Sequence, residues 1–258
     1  MINYKLLVDT AALAGEIMLS SGAETYRVED TMYHILKTSD IRTIEALALL
    51  TGIVVTVNDE TMEQPLTVMK TVNDRVTNMS TIIKVNDISR KYCSGKITLE
   101  EAYEKLNRVR GKEYNRVLYN LGTIGIAIGF AMMFGGQVQE LIVTAIVGTL
   151  LALIITMGKI AKWSGIFVNA FGGMGIAMIA MLFKGFVFPE MDMDVVIIAA
   201  IMPIVPGVAI TNAIRDTLQA DYLSGCGRIL EAFLTAASVA VGIGLGMVMA
   251  NGIFGGVL

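Results

Sequence analysis

Tyr4, Leu7, Val8, Ala11, Ala14, Ile17 and Met18 recur at helical spacing, which predicts an amphipathic helix over residues 3–19. The segment SSGAETYRVEDTMYHIL follows. Ser21 and Glu24 have the Ser-x-x-Glu spacing of a capping box, so Ser21 is expected to open a second helix running to about Lys37, with Gly22 relaxing the turn before it. The pattern then changes. Residues 44–57 are dense in Val, Ile and Leu around Gly52, Asn58, Asp59 and Glu60 mark a turn, and QPLTVMKTV reads as a further extended segment, so strands are expected. Helical spacing returns with Ile82, Ile83, Val85 and Ile88, stops at Ser94 and Gly95, and restarts at Thr98, where Glu101 completes a second capping box.

Beyond Arg116 the pattern becomes almost uniformly apolar. Five charge-poor stretches, approximately 117–134, 141–158, 163–183, 195–214 and 229–250, each approach the roughly 20 residues that cross a bilayer as a helix, and only the last holds a charge, Glu231. The predicted fold class is a membrane protein: a small cytoplasmic α+β domain over residues 1–112, then a bundle of five transmembrane α-helices over residues 113–258. Charge supports the division, because only 12 of the 43 Asp, Glu, Lys and Arg residues lie beyond position 116. Asp9 and Glu16 interrupt the first apolar pattern, so it does not read as a signal peptide.

Lysine and arginine set the expected orientation. Arg108, Arg110, Lys112 and Arg116 precede the first span, Lys159 and Lys162 separate the second from the third, and Arg215 and Arg228 separate the fourth from the fifth. The GGQVQE connection has neither residue, and FPEMDMD is acidic. The N-terminus is therefore expected in the cytoplasm and the C-terminus outside, in a multi-pass membrane protein. Cys93 and Cys226 with a distant His34 make no zinc pattern, and no phosphate loop or nucleophile–base set is present. Neither a metal, a cofactor, a catalytic residue nor a nucleic-acid partner is expected. The expected surroundings are the lipid bilayer.

The fourth stretch, IMPIVPGVAITNAIRDTLQADYLSG, carries Pro203, Pro206 and Gly207 inside an apolar run. A break at membrane depth frees backbone groups that neighbouring protein or a wet cavity must satisfy, so it is either packing geometry or a site. If the helix resumes after Gly207, Asn212, Arg215, Asp216 and Gln219 share one face. After Gly225 and Gly227, Arg228, Glu231, Thr235, Ser238 and Gly242 form a second stripe climbing into the fifth span. Ionisable groups there pair or line a pathway, or else sit in a solvated loop. The candidate pathway comprises Pro206, Gly207, Asn212, Arg215, Asp216, Asp221, Arg228 and Glu231, with Asn169 in the middle of the third span serving as ligand or as interhelical glue, and Asn120 and Thr123 likewise.

SSGAETYRVED and VPGVAITNAIRDTLQADYLSGCGRILEA resemble the two hallmark segments of the threonine/serine exporter (ThrE-like) family, and the likeness covers nearly the whole chain. The resemblance implies an exporter of small polar metabolites driven by an ion gradient. It singles out Ser21, Gly22, Thr25, Arg27 and Glu29 as a cytoplasmic motif near the inner mouth. Full-length members carry a second set of spans, so this chain resembles the longer component of the two-component type, which works with a smaller membrane subunit and includes exporters of dicarboxylates such as succinate. Within that reading Arg215 or Arg228 would meet a substrate carboxylate, and Asp216, Asp221 or Glu231 would carry a coupling proton. Glycine faces at Gly122, Gly125 and Gly129 and at Gly242 and Gly246 suit close contacts within the bundle, with the smaller subunit, or in a homo-oligomer. The rival reading is a membrane-anchored sensor or scaffold, which needs neither a broken helix nor converging polar stripes.

Overall fold

The computed structural model describes residues 3–39, 41–73, 75–110 and 115–254. The expected domain boundary at 112/113, Lys112 and the C-terminal Leu258 lie outside the described residues. Two compact units are present: Met1–Glu113 with Val208–Leu230, and Tyr114–Gly207 with Glu231–Leu258.

In the first unit, α1 (Tyr4–Ser20) is opened by Asn3, whose side chain accepts from the Leu6 N–H, and α2 spans Thr25–Leu36. The turn between them differs from the expected capping box. Ser21 ends α1 instead of opening α2, because Gly22 adopts φ +81° and the N–H groups of Gly22 and Ala23 return to the Leu19 and Met18 carbonyls in a Schellman arrangement. Three antiparallel strands follow in the order β1 (Thr43–Leu49), β2 (Gly52–Asn58) and β3 (Leu66–Thr71), with Leu49 opposite Gly52 across a two-residue loop. The alternation buries Ile53, Val55 and Val57 on one face of the central strand. That face, with Leu7, Met18, Leu19, Met32, Ile35 and Leu36 from α1 and α2, makes one continuous core. Helices α3 (Met79–Cys93) and α4 (Leu99–Val109) complete it, and the Thr98–Glu101 capping box forms as the spacing predicts.

The second unit contains α5 (Arg116–Met133), α6 (Val138–Ile160), α7 (Gly165–Phe186) and α8 (Met193–Ile201), which continues as a 3-10 turn over Met202–Ile204. After the break come α9 (Gly207–Leu218) and α10 (Tyr222–Phe254), and residues 231–254 of α10 belong to this unit. Among the described residues four helices are long and apolar enough to cross a membrane, or five if the bent pair Met193–Ile204 and Gly207–Leu218 is one broken span. The break has a local cause. Val205 is extended (φ −66°, ψ 129°), as a residue before proline is driven to be, and α9 starts immediately after Pro206.

Polar contacts tie the ends of this unit. Glu140, at the start of α6, accepts from the Gln137 N–H at 2.8 Å and from the Asp192 N–H at 2.9 Å, which brings GGQVQE and FPEMDMD to one end. Lys159 lies 4.5 Å from the Tyr119 ring centre at the start of α5. Thr156 donates to Asn120 at 3.1 Å between α5 and α6, so Asn120 acts as interhelical glue, whereas Thr123 bonds its own helix at Tyr119.

Glycines let α7 and α10 approach through their backbones. A Cβ on Gly242 would run into the Ala170 carbonyl, one on Gly246 would lie 2.5 Å from that of Met174, and one on Gly173 would lie 2.6 Å from that of Val239. Gly122, Gly125 and Gly129 on α5 face open space. Gly242→Ala should therefore lower the unfolding midpoint in detergent, at a cost of about 1–3 kcal/mol. Gly125→Ala should leave it unchanged or raise it by up to about 1 kcal/mol. Equal effects at the two positions would contradict this packing.

Candidate functional site

Two segments far apart in sequence meet within the first unit. The α1–α2 turn presents its backbone and first residues to α9 and the start of α10. Asn212 donates through Nδ2 to the Gly22 carbonyl at 2.9 Å. One turn later Asp216, wholly buried, accepts from the Thr25 hydroxyl at 2.9 Å and the Thr25 N–H at 3.3 Å. Glu24 precedes α2 without a side-chain cap of its own, so Asp216 supplies the carboxylate that α2 needs at its N-terminus.

Asp216 is in turn neutralised by Arg228. The guanidinium donates through Nε to Asp216 at 2.8 Å and through Nη2 to the Ala23 carbonyl at 2.7 Å, with only 6% of its side chain exposed. The pair is desolvated, so removing one partner would strand the other charge. Outside it lies a second, wetter pair. Glu24 bonds Arg215 through one carboxylate oxygen and approaches Arg27 at 3.7 Å through the other. Glu24 is 7% exposed, while the Arg215 and Arg27 side chains are 55% and 45% exposed.

A family model described as "Putative threonine/serine exporter" matches residues 9–250. The chain belongs to this exporter family. The "Probable threonine/serine exporter" of Mycobacterium tuberculosis (strain ATCC 25618 / H37Rv) is 23% identical over 246 residues, covering 94% of this chain and 46% of the relative. The chain thus spans less than half of that relative's length. No solved structure matches. The apolar helices and the family together are those of a multi-pass membrane protein.

In this chain the two segments singled out by sequence are one cluster: Gly22 and Thr25 on one side, Asn212, Asp216 and Arg228 on the other, with Arg27 and Arg215 joined through Glu24. Ser21 is buried, and its carbonyl accepts from the Asn78 N–H. Asp221 caps α10, accepting from the Ser224 N–H at 3.1 Å. Glu231 is exposed on α10 and belongs to the second unit. Pro206 and Gly207 mark the break, and a Cβ on Gly207 would meet nothing within 4 Å. Asn169 lies five residues into α7, near its start and not at mid-span. Helix α10 begins at Tyr222 and runs through Gly225 and Gly227 without a break, because those glycines lie against Thr217 and Leu50 where side chains would collide.

Sequence reasoning missed Glu24, which the apparent capping box had claimed. The only available signal was its position within the first hallmark segment. His34 pairs with Asp30 at 3.3 Å on the same helix, and burial pushes the Cys93 thiol up, away from reactivity. Among the described residues no group of three or more His, Cys, Asp or Glu is placed to hold a metal ion.

Beside the cluster, Tyr26, Glu29, Asp30, Tyr33, Ile44, Glu45 and Ala46 line an open groove between α2 and β1. Partial burial, with the Asp221 and Asp216 charges, raises the Glu29 carboxyl above its ordinary 4.5, although the Ala48 N–H bonds it and pulls the other way.

These environments separate the expected costs of substitution. Asp216→Ala should destabilise the chain by about 3–5 kcal/mol, whereas Arg215→Ala, at a half-exposed pair, should lower the midpoint far less. Detergent-unfolding midpoints check the order. Because folding holds the Glu29 proton more tightly than the unfolded chain does, its ionisation costs stability above the ordinary carboxyl range, and that cost fades as pH falls through the raised value. Glu29→Gln, which keeps an acceptor for Ala48, should raise the midpoint at pH 7 and lose its advantage in acid. An unchanged difference across pH would contradict the assignment.

Proposed function

We propose that this chain is a subunit of a secondary transporter that exports a small polar metabolite bearing a carboxylate, an amino acid such as threonine or serine or a dicarboxylate such as succinate, across the inner (plasma) membrane. The observation that carries the reading is the convergence of both hallmark segments of an exporter family on one cluster of arginines and carboxylates. Guanidinium groups recognise carboxylates through paired, charge-assisted hydrogen bonds. The broken α8–α9 segment supports a transporter further, since discontinuous helices expose backbone groups to substrate or ion.

In this mechanism the first unit, with residues 21–29, lies on the cytoplasmic side and controls access, and substrate passes outward past the break at Pro206 and Gly207. Arginine receives the carboxylate, and Asp221 or Glu231 carries the coupling proton, Asp216 being held by Thr25 and Arg228. The N-terminus is cytoplasmic and the C-terminus external. A smaller membrane subunit supplies further spans, and the open glycine face of α5 at Gly122, Gly125 and Gly129 is a surface on which a helix of that subunit can pack closely.

Sealed vesicles loaded with labelled threonine, serine or succinate test this directly. Under a proton gradient, the chain with a co-purifying small membrane protein should release label, and the chain alone should not. Arg215→Lys should reduce release less than Arg215→Gln, because lysine keeps the charge and loses only the planar fork. Equal release by both variants and the parent would remove Arg215 from substrate binding. Release of none of the three compounds by any combination would overturn the exporter reading in favour of a membrane-anchored sensor or scaffold.

A further inference from the structure

The two arginines first considered for substrate, Arg215 and Arg228, stand in different chemical states. Arg228 is buried, and its Nε and Nη2 donors are spent on Asp216 and the Ala23 carbonyl. Moving it to a ligand would strand Asp216 and release the α1–α2 turn together, a cost of several kcal/mol. Arg215 has one carboxylate partner, Glu24, and is half exposed. Arg27, in the first turn of α2, approaches the other oxygen of the same carboxylate and is also nearly half exposed. Glu24 is therefore held between two guanidinium groups that both reach solvent, while its own side chain is almost wholly covered. Two accessible forks around one carboxylate are the arrangement that a free carboxylate ligand would require.

We propose that Arg215 and Arg27, not Arg228, form a carboxylate-binding site, and that Glu24 is its resting occupant. A ligand carboxylate enters by displacing Glu24 from the arginines, an exchange of one ion pair for another that needs no proton or electron transfer. The deeper Asp216–Arg228 pair stays closed during the exchange and keeps α2 in place, so the site can open without unfolding the unit. Only ligands bearing an anionic carboxylate can compete, which makes Glu24 a specificity determinant as well as a plug. The assignment rests on the exporter reading for the identity of the ligand, but not for the existence of the site.

Binding and flux are measured in parallel on the full chain in lipid nanodiscs and in vesicles. Equilibrium dialysis with labelled L-threonine, L-serine and succinate should show at least one compound bound about tenfold more tightly by Glu24→Gln than by the parent, the factor lost with one competing charge-assisted contact. Glu24→Gln/Arg27→Gln and Glu24→Gln/Arg215→Gln should return the affinity to the parent value or below. In the unaltered chain, the same compound should speed hydrogen exchange at the Glu24 and Tyr26 amides and leave that of Thr25, held by Asp216, unchanged, a readout that does not depend on how the variants fold. Unchanged affinity in Glu24→Gln together with unchanged exchange on adding ligand would overturn the site, even if vesicles show export. Tighter binding with the expected exchange, but no flux from any vesicle, would uphold the site and overturn the exporter reading.

Discussion

A single carboxylate, Asp216, holds the first unit in its observed arrangement. It is fully buried, and an uncompensated charge there would cost several kcal/mol, so its surroundings must supply donors and a cation. Thr25 supplies a hydroxyl and a backbone N–H, and Arg228 supplies the charge. Each partner constrains something else. Thr25 fixes where α2 begins, Arg228 reaches back to the Ala23 carbonyl, and Asn212, on the same face of α9 as Asp216, holds the Gly22 carbonyl. Residues about 190 positions apart are thereby locked into one polar joint. The outer layer, in which the half-exposed Arg27 and Arg215 flank a covered Glu24, can be exchangeable because this inner layer is not.

The second unit is held differently. Its helices are apolar on most sides, so burial from water contributes little in a bilayer, and packing rests on close approach. Gly173 on α7 and Gly242 and Gly246 on α10 let backbones come together, while Glu140 and Asp192 join two connections at one end. The glycine face of α5 has the same chemistry and no neighbour among the described residues. Two otherwise similar glycine stripes thus differ in what they do for this chain: one closes the unit, and the other is available.

Periodicity made most elements readable, because a stripe at helical spacing and a strand alternation each have few alternatives. The strands, the Thr98 capping box, four long apolar helices and the break before Pro206 all follow from local chemistry. Misreadings arose where one local pattern serves two geometries. Ser21-x-x-Glu24 has capping-box spacing, but Gly22 in the left-handed region turns Ser21 into the end of α1. The fifth span, expected over 229–250, extends back to Tyr222, because Gly225 and Gly227 are helical residues where Thr217 and Leu50 leave no room for side chains. The shared face of Asn212 and Asp216 was readable from their spacing. Their partners were not, since no local pattern links residue 216 to residue 25.

The central claim is that Asp216 and Thr25 are energetically joined in the working protein. A double-mutant cycle on the full chain in lipid-like micelles measures that directly, using Thr25→Val, which removes the hydroxyl at nearly constant shape, and Asp216→Asn, followed by the unfolding free energy of each single and of the pair. Coupling of roughly 1–3 kcal/mol is the expected result for groups sharing one buried polar network. Additive losses, with no coupling beyond error, would show that the two hallmark segments do not meet there and would contradict the account.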